Sequence, residues 1–143
     1  MVKPVPEGYR TVTPYLIVKD ADKLLTFVRA AFNATVKEEH RTADGSVMHA
    51  DVIIGDSHVM LGQANEKWRA MPGSIMLYVP DADATYKAAL NAGAKSVQEM
   101  TDQFYGDRSG GVEDPSGVTW WISTHVEDVS PEEMERRMAA AAR

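Results

Sequence analysis

The chain has no cysteine, so disulfides, thiolate metal sites and a cysteine nucleophile are excluded at once. It has no apolar run approaching the length of a membrane span, and its first residues, Met1-Val-Lys-Pro-Val-Pro-Glu7, carry no apolar leader segment. Cationic clusters are missing too. With 15 Lys and Arg against 21 Asp and Glu, the net charge of −6 argues against nucleic acid as a partner. A Gly-x-Ser-x-Gly elbow is absent, and the glycines of Gly106-Asp-Arg-Ser-Gly-Gly111 lack the Gly-Lys-Ser/Thr ending of a phosphate loop. What remains is 143 residues with 44% hydrophobic and 25% charged side chains, the balance of one globular domain. A cytoplasmic location is expected.

The most informative stretch is Asp114-Pro-Ser-Gly117, whose residue types suit a tight turn. It follows Gly111-Val-Glu113 and precedes Val118-Thr-Trp-Trp-Ile122, a β-branched and aromatic run that reads as a strand. Upstream, Thr11–Val18 predicts a strand and Asp20 an N-cap. The residues Leu24, Phe27, Val28 and Ala31 fall at helical spacing. Strands are expected over Thr35–Arg41, Val47–Ile54 and His58–Leu61. The same order then recurs: a strand at Ser74–Val79, a helix capped by Asp81 and closed by Gly93, and a strand at Val97–Met100 before the final hairpin. The words Val18-Lys-Asp-Ala-Asp22 and Val79-Pro-Asp-Ala-Asp83 superpose with an offset of 79 − 18 = 61 residues. A supersecondary unit used twice is therefore the organising feature. Ser130-Pro-Glu-Glu133 starts one more helix. Gly106–Gly111 reads as a turn or bulge, with Arg108 either an anchor for an anionic ligand or paired with a nearby carboxylate.

A doubled βαβββ unit ending in Val112-Glu-Asp-Pro-Ser-Gly-x-x-Trp-Trp resembles the vicinal oxygen chelate superfamily, which includes glyoxalase I, extradiol dioxygenases and bleomycin-resistance proteins. Tyr105-Gly-Asp-Arg-Ser-Gly110 and the tail Ile122–Glu133 resemble its PhnB-like branch. The resemblance implies an α+β fold in one domain: module 1 over about 11–63, module 2 over about 74–125, and a C-terminal helix over about 131–142. It further implies curved mixed sheets that form a cavity, and a homodimer.

In metal-dependent relatives four His or Glu ligands converge in that cavity. Carried over through the repeat, their positions fall at Thr13, about Met60, Ser74 and Trp121. Hydroxyls, a thioether and an indole make a poor set for a divalent cation. No cofactor is expected. The alternative donors are His49 and Asp51, two apart on one strand, joined by Glu113 or His125; His58 and Gln63 neighbour the Met60 position.

Strand alternation places Thr13, Tyr15, Ile17, Ser74, Met76, Tyr78, Thr119, Trp121 and Ser123 on the concave faces. Leu16, Val18, Ile75, Leu77, Val79, Trp120 and Ile122 fall under the helices. The concave set suits a small-molecule pocket. The expected binding residues are Tyr15, Met60, Trp68, Ser74, Met76, Tyr78, Tyr105, Arg108 and Trp121, with Trp68 and Tyr105 on loops at the mouth. Two further readings stay open: a metal-dependent isomerase, lyase or dioxygenase with non-standard ligands, and a structural or regulatory dimer whose cavity is filled by side chains.

Overall fold

A computed structural model describes residues 2–71 and 73–141. The first module runs β1 (Tyr15–Val18), α1 (Ala21–Phe32), β2 (Thr35–Arg41), β3 (Val47–Ile54) and β4 (Ser57–Gln63). The second runs β5 (Ser74–Tyr78), α2 (Ala82–Asn91), β6 (Lys95–Asp102), β7 (Asp107–Glu113) and β8 (Thr119–His125), and α3 (Pro131–Ala141) follows. Each module builds one four-stranded sheet, ordered β1-β4-β3-β2 and β5-β8-β7-β6. The first strand of each pairs parallel with the last, and the other pairings are antiparallel. The expected doubled βαβββ architecture is present.

The two helices start identically because the same words precede them. Asp20 (φ −138°, ψ 92°) and Asp81 (φ −138°, ψ 91°) are extended N-caps. Their carboxylates accept from the N–H groups of Lys23 and Ala84, each at 3.1 Å. Asn33 ends α1 in the left-handed region at φ 55°. In α3, Ser130 Oγ accepts from Glu133 N–H at 3.2 Å, as the Ser-Pro-Glu-Glu word implies.

Several strand boundaries differ from the sequence reading. Residues 11–14 lie outside β1, whose pairing to β4 begins at Tyr15. The strand expected at Val97–Met100 extends to Lys95–Asp102. The larger correction concerns Gly106–Gly111. Only Gly106, at φ 98°, is turn, while residues 107–113 form β7, central in its sheet. Glycine serves there because other groups lie on the backbone. A Cβ on Gly110 would sit 2.6 Å from the Met100 sulfur, and one on Gly111 would sit 2.5 Å from the Trp121 ring.

The core lies on the helix side of both sheets. Leu16, Val18, Val52, Leu61, Trp120 and Ile122 are buried there beneath α1 and α2. Ile75 and Leu77 on the edge strand β5, and Val79 just past its end, are only partly buried against it. The helices α1 and α2 also pack on each other. Phe32 at the end of α1 meets Trp120 of the second module at 4.9 Å between ring centroids, so the modules share one core. With the helix faces turned inward, Tyr15 (52% exposed), Met76 (48%) and Tyr78 (64%) stand open to solvent.

Candidate functional site

On the second sheet the concave face is organised by β5, β8 and β7. Met76 stands opposite Trp121 and Tyr78 opposite Ser123 in the parallel β5–β8 register. Trp121 is half-buried, its six-membered ring over the bare backbone of Gly111, and its indole N–H donates to Ser74 Oγ at 3.0 Å. Ser123 is fully buried, its hydroxyl directed at the Met76 sulfur 3.2 Å away. Tyr78 donates its hydroxyl to Asp107 at 2.8 Å, which, with neighbouring Tyr105 adding to the effect, raises the phenol pKa above its ordinary value. Asp107 is almost completely buried and also meets His125 Nδ1 at 2.9 Å, while His125 Nε2 meets Asp128 at 2.7 Å. These carboxylates, Asp128 foremost, raise the His125 pKa. His125 thus links the sheet to the segment leading into α3.

On the first sheet the equivalent face carries Tyr15, His49, Asp51, His58 and Met60. The registers Tyr15↔Met60 and Asp51↔Met60 put these positions side by side. Tyr15 covers Gly62, where a Cβ would lie 2.9 Å from its ring. Between the modules is a cleft of about 930 Å³. Arg10, Thr13, His58 and Thr85 line it together with Met76 and Tyr78 of the edge strand β5.

The structure therefore brings together Ser74, Met76, Tyr78 and Trp121, with Tyr105 close by. Tyr15 and Met60 sit on the other sheet. Trp68 is exposed in the loop joining the modules, where Asn65 Oδ1 accepts from its N–H at 2.8 Å. Arg108 lies on the helix side, bonded through its guanidinium to Asp83 (2.8 and 3.0 Å) and Asp102 (3.2 Å). That pairing raises its pKa and lowers that of Asp83, so carboxylates of its own chain take up the fork.

The four positions that bind metal in metal-dependent relatives do not fit a cation here. Two of them, Ser74 and Trp121, are hydrogen-bonded to each other through an indole N–H that can only donate. Met60 offers a thioether and Thr13 a hydroxyl already bonded to the Arg10 carbonyl at 3.4 Å. The alternative donors do not assemble either. Asp51 closes on Tyr9 and His58, His49 packs beside Tyr15 and His40, and Glu113 stands on the other sheet opposite Thr119. Among the described residues no three His, Asp or Glu side chains are grouped to hold an ion.

The profile of the Glyoxalase/Bleomycin resistance protein/Dioxygenase superfamily matches residues 10–122. The chain belongs to that superfamily. Uncharacterized protein Mb0911c of Mycobacterium bovis is 33% identical over 140 residues, covering 90% of this chain and 92% of that one. Among solved structures, TioX from Micromonospora sp. ML1 is similar at a TM-score of 0.71 and 24% identity, over 82% of this chain and 99% of TioX. The PhnB protein from Bacillus cereus is similar at a TM-score of 0.59 and 14% identity, over 80% of this chain and 99% of that one. At those identities the two structural likenesses establish the superfamily fold and nothing finer. No helix among the described residues is long and apolar enough to cross a membrane.

Two residues that organise the sheet faces, Asp107 and Tyr9, escaped sequence reasoning. Asp107 was hidden in a glycine-rich run that read as a turn, and Tyr9 in a proline-rich lead-in. The alternation of β7 up to Glu113 would have placed Asp107 on the face of Gly111, had the strand been extended through the glycines.

Proposed function

We propose that the chain binds a small, flat, largely apolar organic molecule on the concave face of its second sheet, without a metal. The observation that carries this reading is the pairing of Trp121 with Ser74: the indole is held flat over Gly111 with its N–H already bonded, leaving a fixed aromatic platform. Met76 and Tyr78 border it with one apolar and one hydroxyl-bearing side chain, the mixture small-molecule sites use. A second copy of the chain covers this open face, as the exposure of Met76 and Tyr78 suggests. We assign the chain to the PhnB-like branch on its Tyr105–Gly110 motif, and to a cytoplasmic sequestration role like that of the bleomycin-resistance members.

Naphthalene is a suitable probe, followed through the indole N–H resonances. Trp121 should respond saturably while Trp120 does not, and Trp121→Ala should weaken binding about tenfold, the scale of one aromatic stacking contact. Metal analysis of protein purified without chelator should find less than one equivalent. A tightly held stoichiometric metal, or a Trp121 resonance indifferent to the probe, would overturn the reading.

A further inference from the structure

Asp51 is a carboxylate with no exposed surface, on the concave face of the first sheet. A buried charge persists only if donors reach it. Its partners are His58, whose Nδ1 lies 3.0 Å from Oδ1, and the hydroxyl of Tyr9, which donates to Oδ2. The Tyr9 ring also stacks on the His58 imidazole, with centroids 3.8 Å apart and planes 20° from parallel. The phenol pKa is pushed up to about 12, chiefly by the bond to Asp51. A flat ring on a flat ring with a hydroxyl on a buried carboxylate is a complete recognition geometry for a phenol.

The group filling it is weakly attached. Residues 2–8 are exposed, and the strap contains Pro4, Pro6 and a left-handed Gly8 at φ 86°. Among the described residues the Tyr9–Asp51 bond is the one hydrogen bond tying residues 2–13 to the rest of the chain. The next anchor is Pro14, whose carbonyl accepts from Met60 N–H at 2.9 Å. His58, meanwhile, lines the wall of the inter-module cleft.

We infer that Asp51 and His58 form a binding subsite for a small-molecule phenol, occupied in the free chain by Tyr9 as an intramolecular stand-in. A ligand entering by the cleft replaces Tyr9 group for group: its ring takes the imidazole face and its hydroxyl restores the donor to Asp51. The class is narrow. An arene without a hydroxyl leaves Asp51 Oδ2 without its donor, and a carboxylate meets Asp51 charge to charge. The site belongs to the first sheet and does not rest on the Trp121 reading.

The test is titration of the full chain with 4-methylphenol and, separately, methylbenzene, following the His58 imidazole resonances. A tethered side chain competes at an effective concentration in the millimolar range, so Tyr9→Ala should bind 4-methylphenol about tenfold more tightly than wild type. Methylbenzene should give no saturable shift, and Asp51→Leu in the Tyr9→Ala background, which removes the acceptor, should abolish the preference for the hydroxyl. A cooperatively folded Tyr9→Ala protein whose His58 ignores 4-methylphenol overturns the inference, as does equal binding of the two probes. Should Tyr9→Ala fail to fold, Tyr9→Phe and wild type carry the test. Displacement of the ring by 4-methylphenol in Tyr9→Phe supports the subsite, and silence of His58 in both proteins makes Tyr9 a structural latch and overturns it.

Discussion

Gln63 and Thr124 do the same work at equivalent points of the two modules, 124 − 63 = 61 residues apart. Gln63 Oε1 accepts from Ala21 N–H at 2.9 Å and Thr124 Oγ1 from Ala82 N–H at 2.8 Å, each the first residue of its helix. Each side chain also donates to a carbonyl at the end of the preceding strand, Lys19 for Gln63 and Val79 for Thr124. The last strand of each module thereby fixes where its helix begins, with an amide in one module and a hydroxyl in the other.

Removing either contact leaves a helix N–H and a strand carbonyl without their partner. Gln63→Ala and Thr124→Val should each cost about 1 kcal/mol in urea unfolding. Because the sites lie in different modules, the double variant should lose the sum. A loss from the pair well short of additive would mean that the two junctions are coupled through the shared core.

Trp120 and Trp121 are neighbours with opposite fates. Trp120 is completely buried against Phe32, and its indole N–H donates to Asp114 at 2.7 Å. Trp120→Ala should lose about 3–5 kcal/mol, because it empties the joint between the modules. Trp121→Ala should cost far less. The carboxylate of Asp114 also accepts from the N–H groups of Ser116 (2.7 Å) and Val118 (3.1 Å). Asp114→Ala should accordingly destabilise by about 2–4 kcal/mol, since buried donors lose their acceptor. Thermal or urea unfolding of the three variants gives the ranking.

The His125 pKa is raised in the folded state by Asp128 and Asp107. A raised pKa contributes stability that is fully present below the unfolded value near 6.5 and is lost as pH rises through the folded value. His125→Gln should therefore be most destabilised relative to wild type below about pH 6.5, and the gap should narrow towards pH 9. Added salt should narrow it too, because His125 and Asp128 are solvent-exposed. A gap that widens with pH would show that the imidazole is neutral in the fold.

If a second copy covers the open face of the second sheet, light scattering at micromolar concentration should give a dimeric mass. Met76→Glu, which puts a charge on that face without touching the shared core, should shift the mass towards the monomer. Deleting α3 should leave the dimer intact, because among the described residues the helix is hydrogen-bonded back onto its own chain, through Arg137 to Glu127 at 2.8 and 3.0 Å and to the Phe104 carbonyl at 3.1 Å.

The repeat, the helix caps and most strand bounds are legible in the residues, because each depends on neighbours along the chain. Asp20 and Asp81 cap whatever the rest does, and alternation alone separates Trp120 from Trp121. The glycine strand β7 was not legible. Gly110 and Gly111 lower strand propensity, and the reason for tolerating them is Met100 and Trp121 lying on the backbone, which no local pattern announces. Tyr9 was hidden for a similar reason: its partner Asp51 is 42 residues away.

Sequence alone determined the doubled βαβββ plan, the two capped helices and the side-chain types on each sheet face, since these follow from local geometry and period. Tertiary structure alone decided that the helix faces meet through Phe32 and Trp120, that the concave faces consequently open outward, and that Arg108 is paired on the helix side. It also decided that Asp51 and Asp107 each gather a tyrosine and a histidine. Those outcomes depend on which apolar surfaces exclude water together and which buried carboxylates must then find donors. Both are properties of the whole packed chain rather than of any segment.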